Sequence, residues 1–375
     1  FTWDRVAQRT EQALAALAGQ PMLRNEPKIG WLSTWHKRCG IAAYSSFLTD
    51  AIPPDRLFVF ADRSAERTAE DEKNVLRNWS THTDETLDEV FADVIAHQVM
   101  VVVVQYNFGF FALATLARFI QRLKLAGVAV HVFFHATADL VRGSETLSLS
   151  TIASELTQAD RLYVHSIPDL NHLKALGLVN NVVFFPQGVL PTPRREPDAR
   201  RRITNAPDNA KIIAAYGFLL PHKGLQQLIQ AFALLASKDP NLHLLLVNAL
   251  YPAPQSTQEH QACKALVKKL NLTTQVTLLT DYLPDAACAA TLQVADLVIY
   301  PYQQTQESSS AAVRMGLASG RPVAVTPLAI FDDVADAVHR LPGTTPQALA
   351  TGIRALLDDP AALNAQTVKA VQWVA

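Results

Sequence analysis

From Val99 to Val104 the chain runs through six apolar residues, five of them valine, before Gln105 interrupts. A strand with one wet face alternates apolar and polar side chains. A run without alternation demands burial on both faces, the condition of a parallel sheet with helices above and below. Similar short runs recur at 28–33, 57–60, 128–134, 161–164 and 182–185, separated by helical patterns over 41–51, 84–97, 110–125 and 167–176. Further strands are expected at 212–216, 243–247, 276–279, 297–300 and 323–326, with helices starting near Lys223, Gln258, Asp285 and Ser308. Strand and helix alternating in this way predict an α/β chain with two doubly wound, Rossmann-like sheets. A length of 375 residues agrees, because it exceeds the usual single core of ~150 residues.

Composition narrows the function classes. Hydrophobic residues make up 49% and charged residues 18%, which excludes a disordered chain. The net charge of −1 gives no field that would collect a nucleic-acid backbone, so no nucleic-acid partner is expected. Six apolar residues fall far short of the roughly 20 that span a bilayer. Cys39, Cys263 and Cys288 are odd in number and far apart, which supports neither a disulfide framework nor a zinc knuckle and fits a reducing, cytoplasmic compartment. His165 and His172 show no metal-ligand spacing, so no metal and no cofactor are expected. The start at Phe1 rather than Met reads as an excerpt of a longer protein.

Residues 191–209, rich in proline and arginine and without apolar period, read as a solvated connector between domains rather than as a basic grip on a phosphorylated ligand. The expected division is 1–27, a leading helix; 28–190, an N-terminal domain; 191–209, the linker; and 210–375, a C-terminal domain.

Two stretches carry candidate chemistry. The strand at 212–216 runs into a loop with Gly217, Pro221, Lys223 and Gly224, followed by a helix. A lysine at a helix start opposes the macrodipole, and a bound phosphate would resolve the conflict. An exposed lysine in a glycine-capped turn is the alternative. The second stretch follows the strand at 297–300: Glu307 stands in the loop and Ser308, Ser309 and Ser310 open an Ala-rich helix that Gly320 closes. A carboxylate beside free helix N–H groups can hold vicinal hydroxyls, or it can simply cap the helix. His135, after the apolar run 128–134, is a third candidate. The segment 105–111, aromatic and closing a buried strand, reads as core more than as an acceptor platform.

These stretches, with Cys39-Gly40-Ile41-Ala-Ala-Tyr44, Phe134-His135-Ala-Thr, Pro186-Gln187-Gly188-Val189 and Leu283-Pro284, resemble the retaining glycosyltransferases of family 4 over most of the chain. The resemblance implies the GT-B fold, two Rossmann-like domains facing a central cleft, the N-terminal one on the acceptor side and the C-terminal one binding the nucleotide sugar. It implies transfer of a hexose, mannose first, from a GDP- or UDP-sugar to a growing glycan such as an O-antigen or capsule. The acceptor could be lipid-linked, which implies peripheral association with the inner face of the cytoplasmic membrane. It gives Lys223 the donor diphosphate, Gly40 and Ile41 the approach to the phosphates, and His135 a hydrogen bond to the reacting sugar. Gly217, Glu307 and Ser308 to Ser310 complete the donor side. Met315 stands where the family's second Glu holds the ribose, Phe218 replaces its arginine and Gln187 a frequent histidine. Arg38, His222 or Arg314 could compensate for the lost guanidinium. The retained groups imply an enzyme; Phe218 and Met315 point instead to a degenerate module serving as a glycan- or nucleotide-binding scaffold. The first strand-to-helix turn lacks GxGxxG, which argues against a dehydrogenase. Residues 1–9 resemble the closing helix of such transferases, which implies an upstream transferase module or packing on the C-terminal domain.

Overall fold

The computed structural model describes residues 3–18, 26–64, 66–81, 84–193, 199–305, 307 and 309–374. Contacts divide them into two compact units, one formed by Trp3–Gln187 together with Glu307 and Ser309, and the other by Gly188–Thr305 with the residues from Ser310 on.

The first unit contains α1 (Trp3–Ala18), β1 (Ile29–Ser33), α2 (Gly40–Thr49), β2 (Leu57–Asp62), β3 (Val75–Trp79), α3 (Asp88–Ala96), β4 (Val101–Tyr106) and α4 (Leu113–Leu125). It continues with β5 (Ala129–Phe134), a small hairpin of β6 (Leu140–Arg142) and β7 (Glu145–Leu147), α5 (Ala153–Leu156), β8 (Arg161–Val164), α6 (Ile167–Ala175) and β9 (Val182–Phe184). Seven strands form one sheet in the order β3-β2-β1-β4-β5-β8-β9, and every pairing in it is parallel. All six residues of β4 are buried. Val102 and Val104 pack toward Val90 of α3 and Leu116 of α4, while Val101 and Val103 face Tyr44 and Leu48 of α2. The unbroken valine run therefore fills two hydrophobic layers, each buried side chain contributing about 1.5–3 kcal/mol of transfer free energy.

Helix α1 packs on α2 within this unit: the Trp3 ring stacks on Phe47 at 4.9 Å and meets Tyr44 edge-on at 5.4 Å. The expectation that the leading helix packs on the C-terminal domain is corrected by these contacts.

The second unit contains α7 (Ala199–Ile203), β10 (Lys211–Phe218), α8 (Leu225–Ala236), β11 (Leu242–Ala249), α9 (Pro254–Lys269), β12 (Val276–Leu279) and α10 (Asp285–Leu292). After these come β13 (Leu297–Tyr300), α11 (Ala311–Ala318), β14 (Val323–Val325), β15 (His339–Arg340), α12 (Pro346–Leu357) and α13 (Pro360–Val374). Its sheet, again wholly parallel, has the order β12-β11-β10-β13-β14-β15. Ile213, Leu246 and Ile299 face Phe232 of α8 and Ile353 of α12; Ala214, Leu245 and Val298 face Leu292 of α10 and Val313 of α11.

The linker expected over 191–209 lies differently. Val189 is already sealed in the second unit's core, and the Gln293 amide donates to the Pro193 carbonyl at 2.7 Å. Helix α7, inside that stretch, places Ile203 against the same core, so the chain passes from one unit to the other before Pro191.

Both sheets run outward from their first strand in two directions, so strand order reverses between β1 and β4 and between β10 and β13. In open α/β sheets, ligands collect beyond the carboxyl ends of the strands at such reversals. The loops after β1, β10 and β13 stand there, and they carry the sequence candidates.

Candidate functional site

In the second unit, β10 ends with Gly217 at φ +136 and Phe218, and the chain turns through a single 3-10 turn, Pro221–Lys223, into α8. Gly224 caps α8 in the left-handed region at φ +71, where L residues are strained. A Cβ there would lie 1.9 Å from the Pro301 carbonyl oxygen, so no side chain fits. The Gln303 amide donates to the His222 carbonyl at 2.8 Å. The turn is thus fitted directly against residues 301–303, which continue β13. Lys223 is only 8% exposed, and its ammonium lies 4.1 Å from the centre of the Tyr302 ring. The lysine is held inside the turn and is not the freely exposed residue that a capping turn alone would leave. His222, half-buried, meets the same ring edge-on at 6.4 Å.

The loop after β13 holds Glu307, exposed, and half-buried Ser309; Ser308 lies outside the described residues. The helix begins later than its serine run promises. Ser310 is the N-cap of α11: its hydroxyl accepts from the Val313 amide and pairs with the Tyr302 hydroxyl at 3.1 Å.

Two sequence assignments in α11 are corrected. Met315 is 7% exposed and packs in the apolar layer with Val298, Tyr300 and Phe331, so it faces the core and not a ribose. Arg314 is 4% exposed, donates to the Ser310 carbonyl at 3.0 Å and forms a buried ion pair with Asp333. Its guanidinium stabilises the helix start and is not a spare cation. Phe218, standing for the family's arginine, stacks parallel to Tyr282 at 6.1 Å and edge-on to Tyr251 at 5.1 Å. An aromatic group therefore fills the end of β10 where a charge was expected.

In the first unit, Gly40 opens α2 in an exposed position and Ile41 packs half-buried on the core. A Cβ at Gly40 would meet nothing within 4 Å. Arg38 is exposed beside it. The loop before them is tied down at many points. The Trp35 amide donates to the Asp62 carboxylate at 3.3 Å, the Lys37 ammonium pairs with the same carboxylate at 3.0 Å, and Arg77 donates to the Trp35 carbonyl at 3.3 Å. His36, at φ +46, pairs with Glu72 at 3.0 Å.

His135 follows β5 directly, its amide donating to the Tyr106 carbonyl at 3.1 Å. Its Nε2 lies 2.8 Å from Oε1 of Gln105, a residue of β4 with no exposed surface. Tyr44 and His165 stand 5.2 and 5.1 Å from the imidazole. Burial, with a smaller contribution from His165, pushes His135 well below the ordinary histidine value, so the ring is neutral near pH 7. A neutral imidazole bonded to the amide oxygen donates from Nε2 and presents Nδ1 as an acceptor. Gln187 is also buried, at the end of the first unit's main span.

Among the described residues, no group of three or more His, Cys, Asp or Glu is placed to hold a metal ion, and no helix is long and apolar enough to cross a membrane.

With this geometry in view, comparison with known proteins is informative. Residues 197–373 match the family model described as Glycosyl transferases group 1. The match covers slightly under half of the chain and falls within the second unit. A curated glycosyltransferase, the D-inositol 3-phosphate glycosyltransferase of Corynebacterium glutamicum (strain R), is 29% identical over 171 residues; the match covers 44% of this chain and 39% of that protein. Among solved structures, the sucrose-phosphate synthase of Thermosynechococcus elongatus superimposes with a TM-score of 0.73 at 16% identity, covering 93% of this chain and 94% of that one. The Anabaena protein HepE in complex with UDP gives 0.68 at 14% identity, covering 92% and 94%. At such identities the likeness establishes the GT-B fold.

Sequence reasoning names Lys223, Gly40, His135 and Glu307 as candidates but not the residues packed against Lys223 and His135 or those that tie down the loop before Gly40. Tyr302 was visible only as an aromatic after a strand. Gln105 showed as an interruption in the valine run, and that was a signal: a polar residue in a fully buried strand must be paired with something. Asp62 and Arg77 gave no sign of their role.

Proposed function

We propose that the chain is a retaining hexosyltransferase that takes a sugar from a nucleoside diphosphate sugar and adds it to a glycan. The observation that carries this reading is Lys223, a buried lysine beside a helix start at the strand-order reversal of a group 1 glycosyltransferase unit. Such a cation, next to N–H groups at a helix N-terminus, suits a diphosphate. On this reading the bare phosphates bind at Lys223 and α8, and Glu307 takes hydroxyls of the donor sugar. On the first unit, Gly40 and Ile41 let α2 approach the phosphates, while neutral His135 accepts a hydrogen bond from the sugar and abstracts no proton. Ser309, the cap Ser310 and Gly217 shape the loops around them.

UDP is favoured as the donor base by the HepE complex and by the UDP-forming synthases of the same fold, and GDP remains the comparison. Mannose as the sugar, and a bacterial surface glycan, free or lipid-linked at the inner membrane face, as the acceptor, rest on the sequence resemblance. So do the absence of a metal or cofactor requirement and further transferase modules in the same parent chain. The scaffold reading draws support from one observation: Met315, in the core, leaves the family's second carboxylate unreplaced at that position.

Titration with UDP and GDP, and transfer assays with their hexoses, test the reading. Lys223→Ala is expected to lose most nucleotide affinity with little change in melting temperature. Glu307→Gln is expected to impair use of the sugar nucleotide while sparing the bare nucleotide, because its carboxylate accepts charge-assisted bonds that an amide replaces poorly. A parent protein that binds neither nucleotide supports the scaffold.

A further inference from the structure

We infer that Gln105 is the positioning residue for His135: its buried amide oxygen keeps the imidazole hydrogen on Nε2 and so turns Nδ1 into an acceptor for a hydrogen that the donor sugar supplies. This rests on the reading of His135 given above. Gln105 is the fifth residue of β4, has no exposed surface and follows four valines. Strand alternation carries its side chain to the face shared by Val101 and Val103, the layer that meets Tyr44 of α2, and the register of β4 and β5 sets it beside Phe133 of that same layer. His135 stands two residues beyond Phe133, and its Nε2 lies 2.8 Å from Gln105 Oε1. A buried amide is costly unless it is bonded, and an unbranched apolar side chain of the same length would fill the space without that cost. Among the described residues the Gln105 amide nitrogen has no partner, so the bond to the imidazole is what the side chain contributes.

In a neutral imidazole, the nitrogen that faces an acceptor carries the hydrogen, and the other nitrogen keeps a lone pair. The ring stays neutral because burial disfavours its charge and His165, which follows β8, adds to the effect; Tyr44 of α2 is the other titratable group against it. His135 is half-buried whereas Gln105 is sealed, so the surface of the pair belongs to the histidine. An acceptor there selects a group that gives a hydrogen. A sugar hydroxyl suits it, and an ionised carboxylate or phosphate has none to give. The competing account is a core pair, in which Gln105 merely satisfies a polar ring and the tautomer has no consequence for the sugar.

Nitrogen NMR of the imidazole rings, with His135→Asn to identify the signal, reads the tautomer of the parent protein directly. The expected state has the hydrogen on Nε2 and none on Nδ1; a hydrogen on Nδ1 overturns the inference and leaves the function standing. The consequence is read from kcat and KM for UDP- and GDP-hexoses, with calorimetric affinities for UDP and GDP, in the parent, Gln105→Met and Gln105→Glu. Gln105→Met is expected to lower kcat/KM roughly 2- to 10-fold, the worth of one neutral hydrogen bond, while affinity for the bare nucleotide is kept. In Gln105→Glu the carboxylate favours the imidazolium, whose Nδ1 donates, so kcat/KM should rise with pH between about 6 and 8 where the parent is flat. Should Gln105→Glu fail to fold, the tautomer and Gln105→Met still decide. Parent-like kcat/KM and pH profile in the variants establish the core pair and overturn the role of Gln105. A parent protein that binds neither UDP nor GDP overturns the function reading, and the inference with it.

Discussion

Met315→Glu restores, by sequence, the second glutamate of the family motif, and its outcome depends on which way α11 faces. Met315 is 7% exposed among Val298, Tyr300 and Phe331. A carboxyl there takes the pKa of a buried acid, about 8–9, against about 4.3 in the unfolded chain. Because the folded value is the higher one, the stability of the substituted site is greatest below about pH 4.3 and declines as pH rises toward the folded pKa. At pH 7 the ionisation penalty is about 1.4 kcal/mol for each of roughly 2.7 pH units, or about 4 kcal/mol. For a unit of this size, that lowers the melting temperature by roughly 10 °C. Thermal unfolding of parent and variant at pH 4.5 and 7, with UDP and GDP titration at pH 7, measures this. The gap between the two proteins is expected to widen from pH 4.5 to 7, with no gain in nucleotide affinity. A variant as stable as the parent at pH 7 that binds nucleotide more tightly would refute the packing of Met315 and return it to the donor site.

Gly224→Ala sets a Cβ 1.9 Å from a backbone oxygen at φ +71, a combination that costs at least ~3 kcal/mol; an unchanged melting temperature would contradict the fitted turn. His135, held below 6.5 by burial, stays neutral, so its share of stability is present above pH 6.5 and declines as pH falls, by up to about 1.4 kcal/mol per unit. His131 in the same unit, pushed down to about 4, acts in the same direction. Histidine NMR titration between pH 7 and 5 should show the His135 ring uncharged at pH 6, and a midpoint above 6.5 would refute its burial.

The sheets were legible because burial on both faces favours apolar residues without alternation, as in the four valines that open β4. β3 escaped notice because Val75-Leu-Arg-Asn-Trp lies at the sheet edge and is only partly buried. The passage between units was misplaced since proline and arginine mark irregular backbone, whereas Val189 and the Gln293 bond to Pro193 are long-range facts. Arg314 looked available because its partner Asp333 is 19 residues away, beyond any helical spacing. Local patterns announced which residues carry charge and where helices start. They could not announce that Arg314 is paired with Asp333 or that Lys223 lies against an aromatic ring.

The strand order also has a consequence for how the chain is made. Every strand of the first sheet is drawn from residues before Gly188, and its first strand β1 acquires its neighbour β4 only once Tyr106 has been synthesised. At about 5–20 residues per second, the stretch from the end of β9 at Phe184 to the start of β10 at Lys211 takes roughly 1–5 s to make. All strands of the first sheet are therefore made before any strand of the second. Each parallel sheet is thus complete within one continuous stretch of sequence, and neither borrows a strand from the other.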